Sequence, residues 1–311
     1  MVRYPFSCHA GWGLKNQGLT KCKERRRTMH LSEKALLATL SVGMWTGRKL
    51  RRDVSNYVTE SRGAEKDSGR FWLRLIGRPA LKEFYDLERE ARQFHRMNTL
   101  AWGYDGTGVV PSEQYAKYAA AMRKFREKWE TAKRKFTPEY PKRVEEDKKR
   151  RLGKFFKPED YPEVNDVLRR FHFDIEVLPL PEVGDFRVSL SDEETKRARH
   201  EIEVTINTRL EEGLRGLWER IGEALGRLVR VLGAEKPRIY DTLLGNLQEL
   251  VEAVGHLNIT GNKGLTEMRN ALQKQLCSSF KTGDLREDEA TRKKALKTAK
   301  ALMKKMAGYT G

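Results

Sequence analysis

Nine apolar residues recur at steps of three or four along one stretch of this chain: Ile202, Ile206, Leu210, Leu214, Leu217, Ile221, Leu225, Leu228 and Leu232. That spacing commits the stretch to a helix with one continuous apolar face. Each such side chain gains about 1.5–3 kcal/mol when fully buried, so the seam must meet another helix. The expected partner is helix 238–256 of the same chain or a second copy of it. Ser191-Asp192-Glu193-Glu194 reads as a capping box that starts the helix. Continuous to Gly233, it would run on the order of 60 Å at about 1.5 Å per residue. Gly222 and Gly226, one turn apart, mark the expected point of closest approach.

A second stripe is aromatic. Tyr115, Tyr118, Met122, Phe125, Trp129 and Phe136 keep a heptad-like spacing, with Ala132 in the intermediate place. The helix they define starts at Pro111-Ser112 and is expected to end at Pro138 and Pro141. Its expected partner is a helix from about Ala80 to Asn98, with Leu81, Phe84, Leu87, Ala91 and Phe94 inward. Gly103, Asp105, Gly106 and Gly108 make 102–110 a loop. Further helices are expected from Pro158 to about Arg170, over 240–254, over 265–280 and over 287–306. Near the start, Ser32 reads as an N-cap and Ala35 to Leu40 as good helix formers. One stretch reads as strand. Phe171, Phe173, Ile175 and Val177 alternate with His172, Asp174 and Glu176, and Phe186 to Leu190 could pair with it as a hairpin.

The expected fold is therefore mainly α: elongated, coiled-coil-like helices in a bundle with one small β-hairpin element near 171–190. Three parts follow: a basic flexible tail at 1–30, a helical domain at 31–190 with the αα-hairpin and β element, and a long-helix bundle at 191–311. Three scattered cysteines, Cys8, Cys22 and Cys277, build no disulfide framework. No apolar run reaches a membrane span of about 18 residues, and 1–27 has no signal-peptide core. The chain reads as cytoplasmic, with no membrane partner.

Charge carries the functional reading. The chain holds 62 Lys and Arg against 44 Asp and Glu, a formal +18, which draws it toward polyanions. Residues 123–157 hold fifteen bases and six acids, a local +9. The knot Arg48-Lys49-Leu50-Arg51-Arg52 and the run Lys148, Lys149, Arg150, Arg151, Lys154 and Lys157 are the candidate phosphate contacts. Phe155 and Phe156, between Lys154 and Lys157, are candidate stacking platforms for single-strand bases. The heptad aromatics read as core instead.

Catalytic signatures are weak. His172, Asp174 and Glu176 fall on one face of the strand and could hold a divalent metal for a nuclease. The simpler reading is a polar strand face turned to water. Cys8-His9 and Cys22 lack a fourth zinc ligand. Gly103 to Gly108 lacks the lysine and the preceding strand of a phosphate loop. No cofactor is implied.

Trp45-Thr-Gly-Arg-Lys-Leu50, the basic loop and helix after it, and Gly108-Val-Val-Pro111 before the aromatic helix carry a likeness. Over 31–233 the chain resembles an uncharacterised phage and prophage family, a domain of unknown function often encoded near a MoxR-type AAA+ ATPase. The resemblance implies a phage-encoded protein in the bacterial cytoplasm, working on DNA or beside that ATPase. The expectation is a non-enzymatic nucleic-acid-binding protein, with DNA favoured over RNA. Its alternatives are a helical interaction module, as a homo-oligomer or ATPase partner, and a metal-dependent nuclease.

Overall fold

A computed structural model describes residues 31–103, 106–181 and 191–310. The tail at 1–30 and the expected strand 186–190 lie outside the described residues. The described chain is mainly helical with a small antiparallel sheet. After a single helical turn, α1 (Leu31–Lys34), comes strand β1 (Ala35–Gly43). This corrects the helix expected over 35–40. Ala and Leu favour helix in isolation, but here they line a strand paired on both sides. Leu37 faces Val109 in one neighbour and Leu178 in the other. A central strand with both faces covered has no polar alternation to reveal it.

The short ribbon β2 (Arg48–Leu50) and β3 (Trp72–Arg74) brackets α2 (Arg52–Ser61). Helix α3 (Arg78–Asn98) leads into strands β4 (Leu100–Ala101) and β5 (Thr107–Pro111). The expected loop at 102–110 is thus a hairpin: the turn glycines Gly103 and Gly106 do take positive φ, of 85° and 82°, but strand flanks them. Helix α4 (Ser112–Glu146) passes straight through Pro138 and Pro141 instead of ending there. Its inward face runs through Phe136 before them, Tyr140 between them and half-buried Val144 after them, and the Tyr140 hydroxyl donates to Pro162 O at 2.9 Å. Packing of that face outweighs the lost backbone bonds. A π-helical turn at 147–151, two 3-10 turns and α5 (Val164–Arg169) lead to strand β6 (His172–Pro179). Among the described residues its partner is β1, with Ser41 opposite Asp174. The main sheet runs β4-β5-β1-β6.

The second half holds α6 (Asp192–Leu232), α7 (Thr242–Leu257), α8 (Lys263–Leu272) with a π turn to Cys277, α9 (Thr282–Glu287) and α10 (Glu289–Thr310). Ser191 caps α6 as expected, its hydroxyl accepting from Glu194 N. From Leu210 to Leu232 the seam is buried within the same chain, save half-buried Leu214, against α10 above all and then β4 and α7.

The sheet stands between two apolar cores. Ala35, Leu37, Leu100 and Val109 point into the core of α6–α10. Ala38, Leu40, Val42, Val110 and Phe173 point into the core of α3 and α4. There Trp129 is fully buried and meets Phe84 edge-on at 5.2 Å. Tyr118, Met122, Trp129 and Phe136 are core, as their spacing predicts, while Tyr115 and Phe125 pack half-buried against it.

Candidate nucleic-acid interface

The β2–β3 ribbon grows from a constrained turn. Buried Trp45 anchors the chain edge-on against Tyr140, 5.6 Å between rings. Gly47 then reverses it with φ of 60°, where a Cβ would stand 2.7 Å from Ile76 Cγ2. Only glycine fits both demands. Leu75 N donates to Gly47 O at 2.7 Å, which opens the ribbon. Arg48 then faces Arg74, Lys49 faces Leu73 and Leu50 faces Trp72. Strand alternation puts Arg48, Arg74, Leu50 and Trp72 on one side. Leu73, on the other side, is buried in the α3–α4 core. Behind the ribbon Arg51 N donates to Phe71 O at 3.0 Å, and Phe71 N donates to the hydroxyl of Ser55 at 2.8 Å.

The two basic clusters, a hundred residues apart in sequence, meet here. The Lys49 ammonium bonds the buried carboxylate of Asp160. The Arg51 guanidinium donates to Phe155 O at 3.4 Å and lies 3.8 Å from Asp160 Oδ2. The Tyr161 hydroxyl donates to Leu75 O at 2.7 Å. These links fold the 147–161 segment against the ribbon.

The twelve expected contact residues divide by what they touch. Arg51 is buried and forked onto Asp53 at 3.0 and 2.6 Å, and that bond holds the Asp53 carboxyl down at about 2. Lys49 is tied to Asp160, and Arg151 to the buried Asp147. Their charges are neutralised, and they build the scaffold. Lys148 lies 3.5 Å from Glu145. The side chain of Lys149 lies outside the described residues. Arg48, Arg52, Arg150, Lys154 and Lys157 are exposed. Phe155 is exposed and stacks on Phe71 at 5.9 Å, whereas Phe156 turns inward against Tyr161 at 5.2 Å.

Sequence reasoning missed the aromatic half of the surface. Trp72 is 53% exposed although it sits in the ribbon, and Tyr57, Phe71 and Tyr85 are exposed as well. The signal was Arg70-Phe71-Trp72-Leu73-Arg74, where bases flank aromatics. At one end of the exposed side, Arg48, Arg74, Arg78, Pro79, Lys82 and Tyr85 line a cavity of about 430 Å³. At the other, Leu50, Arg52, Lys66 and Arg70 line a second of about 280 Å³. Trp72 and Leu50 stand between them. A line of cations broken by an exposed indole can grip a phosphate chain and stack its bases.

The other sequence candidate is placed differently. His172, Asp174 and Glu176 do share the outer face of β6. His172 lies over Gly43 and its Nε2 is 3.2 Å from the Ser41 hydroxyl. At about 3.3 Å per residue, the outer two stand roughly 13 Å apart along the strand, too far to share one ion whose ligands lie about 2.0–2.6 Å away. Among the described residues no three His, Cys, Asp or Glu come together to hold a metal ion. A further cavity of about 540 Å³ between α3, α4 and α7 is lined by Glu90, Glu249 and Glu252, which would repel phosphate. No helix among the described residues is long and apolar enough to cross a membrane.

No protein-family model matches this chain, and neither a curated protein nor a solved structure matches it.

Proposed function

We propose that this chain binds single-stranded nucleic acid, without catalysis, across the exposed side of the β2–β3 ribbon. The observation that carries the reading is Trp72. An indole more than half exposed, in a strand, between cross-strand arginines and a second basic cavity, has no packing role that accounts for it. Bare indole in water is unfavourable, and flanking cations make it a stacking platform. Arg48, Arg52, Arg70 and Arg74 take the phosphates, and Trp72 with the Phe71–Phe155 pair takes bases. Readout is by backbone and stacking and not by base edges, so sequence preference is weak. Duplex would hide its bases from the indole, which favours single strands. DNA is the proposed form, following the phage-family likeness at 45–50 and 108–111.

Arg52 and Arg70 are exposed and serve as the test. Arg52→Glu with Arg70→Glu should weaken binding of a dT oligonucleotide at low salt by more than about tenfold, and flatten the log–log salt slope by about 1.4 for two lost contacts. Lys297→Glu with Lys304→Glu, on exposed positions of α10, makes the same change in net charge and should leave the slope unchanged. Equal losses in both variants would mean that net charge, and not this surface, attracts the strand.

A further inference from the structure

The cavity at the α3 end of the ribbon carries more positive charge than an internal phosphate needs. Arg48 and Arg74 are directly opposite in the ladder, a like-charged pairing that costs stability unless something neutralises it. Arg78 opens α3 beside them, after Gly77 as N-cap, with no acidic residue in the first turn. The positive end of the helix dipole adds to their field. Among the described residues no ion pair joins Arg48, Arg74 or Arg78 to a carboxylate. Lys82 is bonded to Asp86, so its charge is offset. Burial, with the guanidinia of Arg78 and Arg48, keeps the proton affinity of Arg74 below the ordinary arginine value.

Three unneutralised guanidinia converge on one cavity. An internal phosphodiester brings a single negative charge, while a terminal phosphate monoester brings about −1.5 to −2 and three acceptor oxygens. The half-exposed ring of Tyr85 and the Pro79 ring give the lining an apolar wall for the end nucleotide. The geometry points to a strand-end site: Arg48, Arg74 and Arg78 hold the terminal phosphate monoester of a strand whose following bases run over Trp72. This rests on the single-strand reading above and assigns the end of the strand to one place on it.

The test uses the full chain and three oligonucleotides of one sequence, carrying a 5′-phosphate, a 3′-phosphate or neither. A terminal phosphate at one of the two ends should raise affinity by about tenfold or more, and the end that does so fixes the polarity of the strand. Arg78→Gln should erase that increment while leaving the unphosphorylated oligonucleotide bound nearly as before; Arg74→Gln should erase it too and also weaken the unphosphorylated oligonucleotide, because Arg74 contacts phosphate in either case. Thermal melting of each variant confirms that it is folded, and Arg78→Gln, at an exposed position, keeps the test open if the ribbon variant melts early. Equal binding of all three oligonucleotides would overturn the strand-end site and leave the single-strand reading standing. An increment that survives in both folded variants would overturn it as well. Binding of none of the three would overturn both.

Discussion

At the scale of single residues, the clearest chemical statement is made by His95. It is buried, with Nδ1 2.7 Å from the Tyr118 hydroxyl, and burial pushes its pKa from 6.5 down to about 4. Arg92 and Arg220 push the same way. The folded state therefore keeps this ring neutral where the unfolded chain would protonate it. Below pH 6.5 the unfolded state binds the extra proton, so stability falls from there down to about pH 4, then levels. A shift of about 2.5 pH units amounts to about 3 kcal/mol. Urea unfolding at pH 7 and pH 4.5 should show most of that loss on top of the carboxylate titrations, and His95→Gln should remove it from the difference. Identical pH profiles for the two proteins would mean that the imidazole is hydrated. The same scale separates scaffold from surface in the basic knot. Arg51 and Arg52 are neighbours in sequence, yet one is buried on Asp53 and the other faces water. Nothing in the run Arg-Lys-Leu-Arg-Arg says which is which, because the segment that covers Arg51, with Phe155 O and Asp160, lies more than a hundred residues away.

At the scale of elements, helix α6 shows what spacing reveals and what it leaves hidden. Its seam is where the 3-4 pattern puts it, but the close approach is not at Gly222 and Gly226. A Cβ on Gly226 would meet nothing within 4 Å, and one on Gly222 would meet the flexible tip of Met306 at 3.1 Å. On Gly213 it would stand 2.6 Å from Leu100 Cγ and 2.9 Å from Ala101 O of β4. Gly226→Ala should therefore stabilise the protein by about 0.5–1 kcal/mol through helix propensity alone. Gly213→Ala should destabilise it by about 1–3 kcal/mol, since β4 cannot yield. Chemical denaturation of the two variants checks the sign, and stabilisation by both would mean that α6 does not rest on the sheet. Helices were legible because their periodicity is local. Strand β1 was not, because Ala-Leu-Leu-Ala satisfies helix propensity and its strand identity comes from partners at 107–111 and 172–179. The ribbon was missed for another reason: its strands are three residues each, too short for any period to register.

At the scale of the whole molecule, one sheet separates two cores, and the candidate surface sits on the α3–α4 side. Leu73, Leu75 and Ile76 fasten the ribbon to that core, while Trp72 and the arginines beside it face out. The chain's excess charge alone would give only diffuse attraction to any polyanion. The specific claim is that base stacking on Trp72 and Phe155 turns that attraction into single-strand binding. The most direct test is the affinity of a labelled dT oligonucleotide for the wild type, Trp72→Ala and Phe155→Ala across a salt series. At about 1–3 kcal/mol per stacked base, each variant should lose roughly five- to a hundredfold in affinity at every salt concentration while the log–log salt slope stays that of the wild type. Unchanged affinity in both variants would contradict the account.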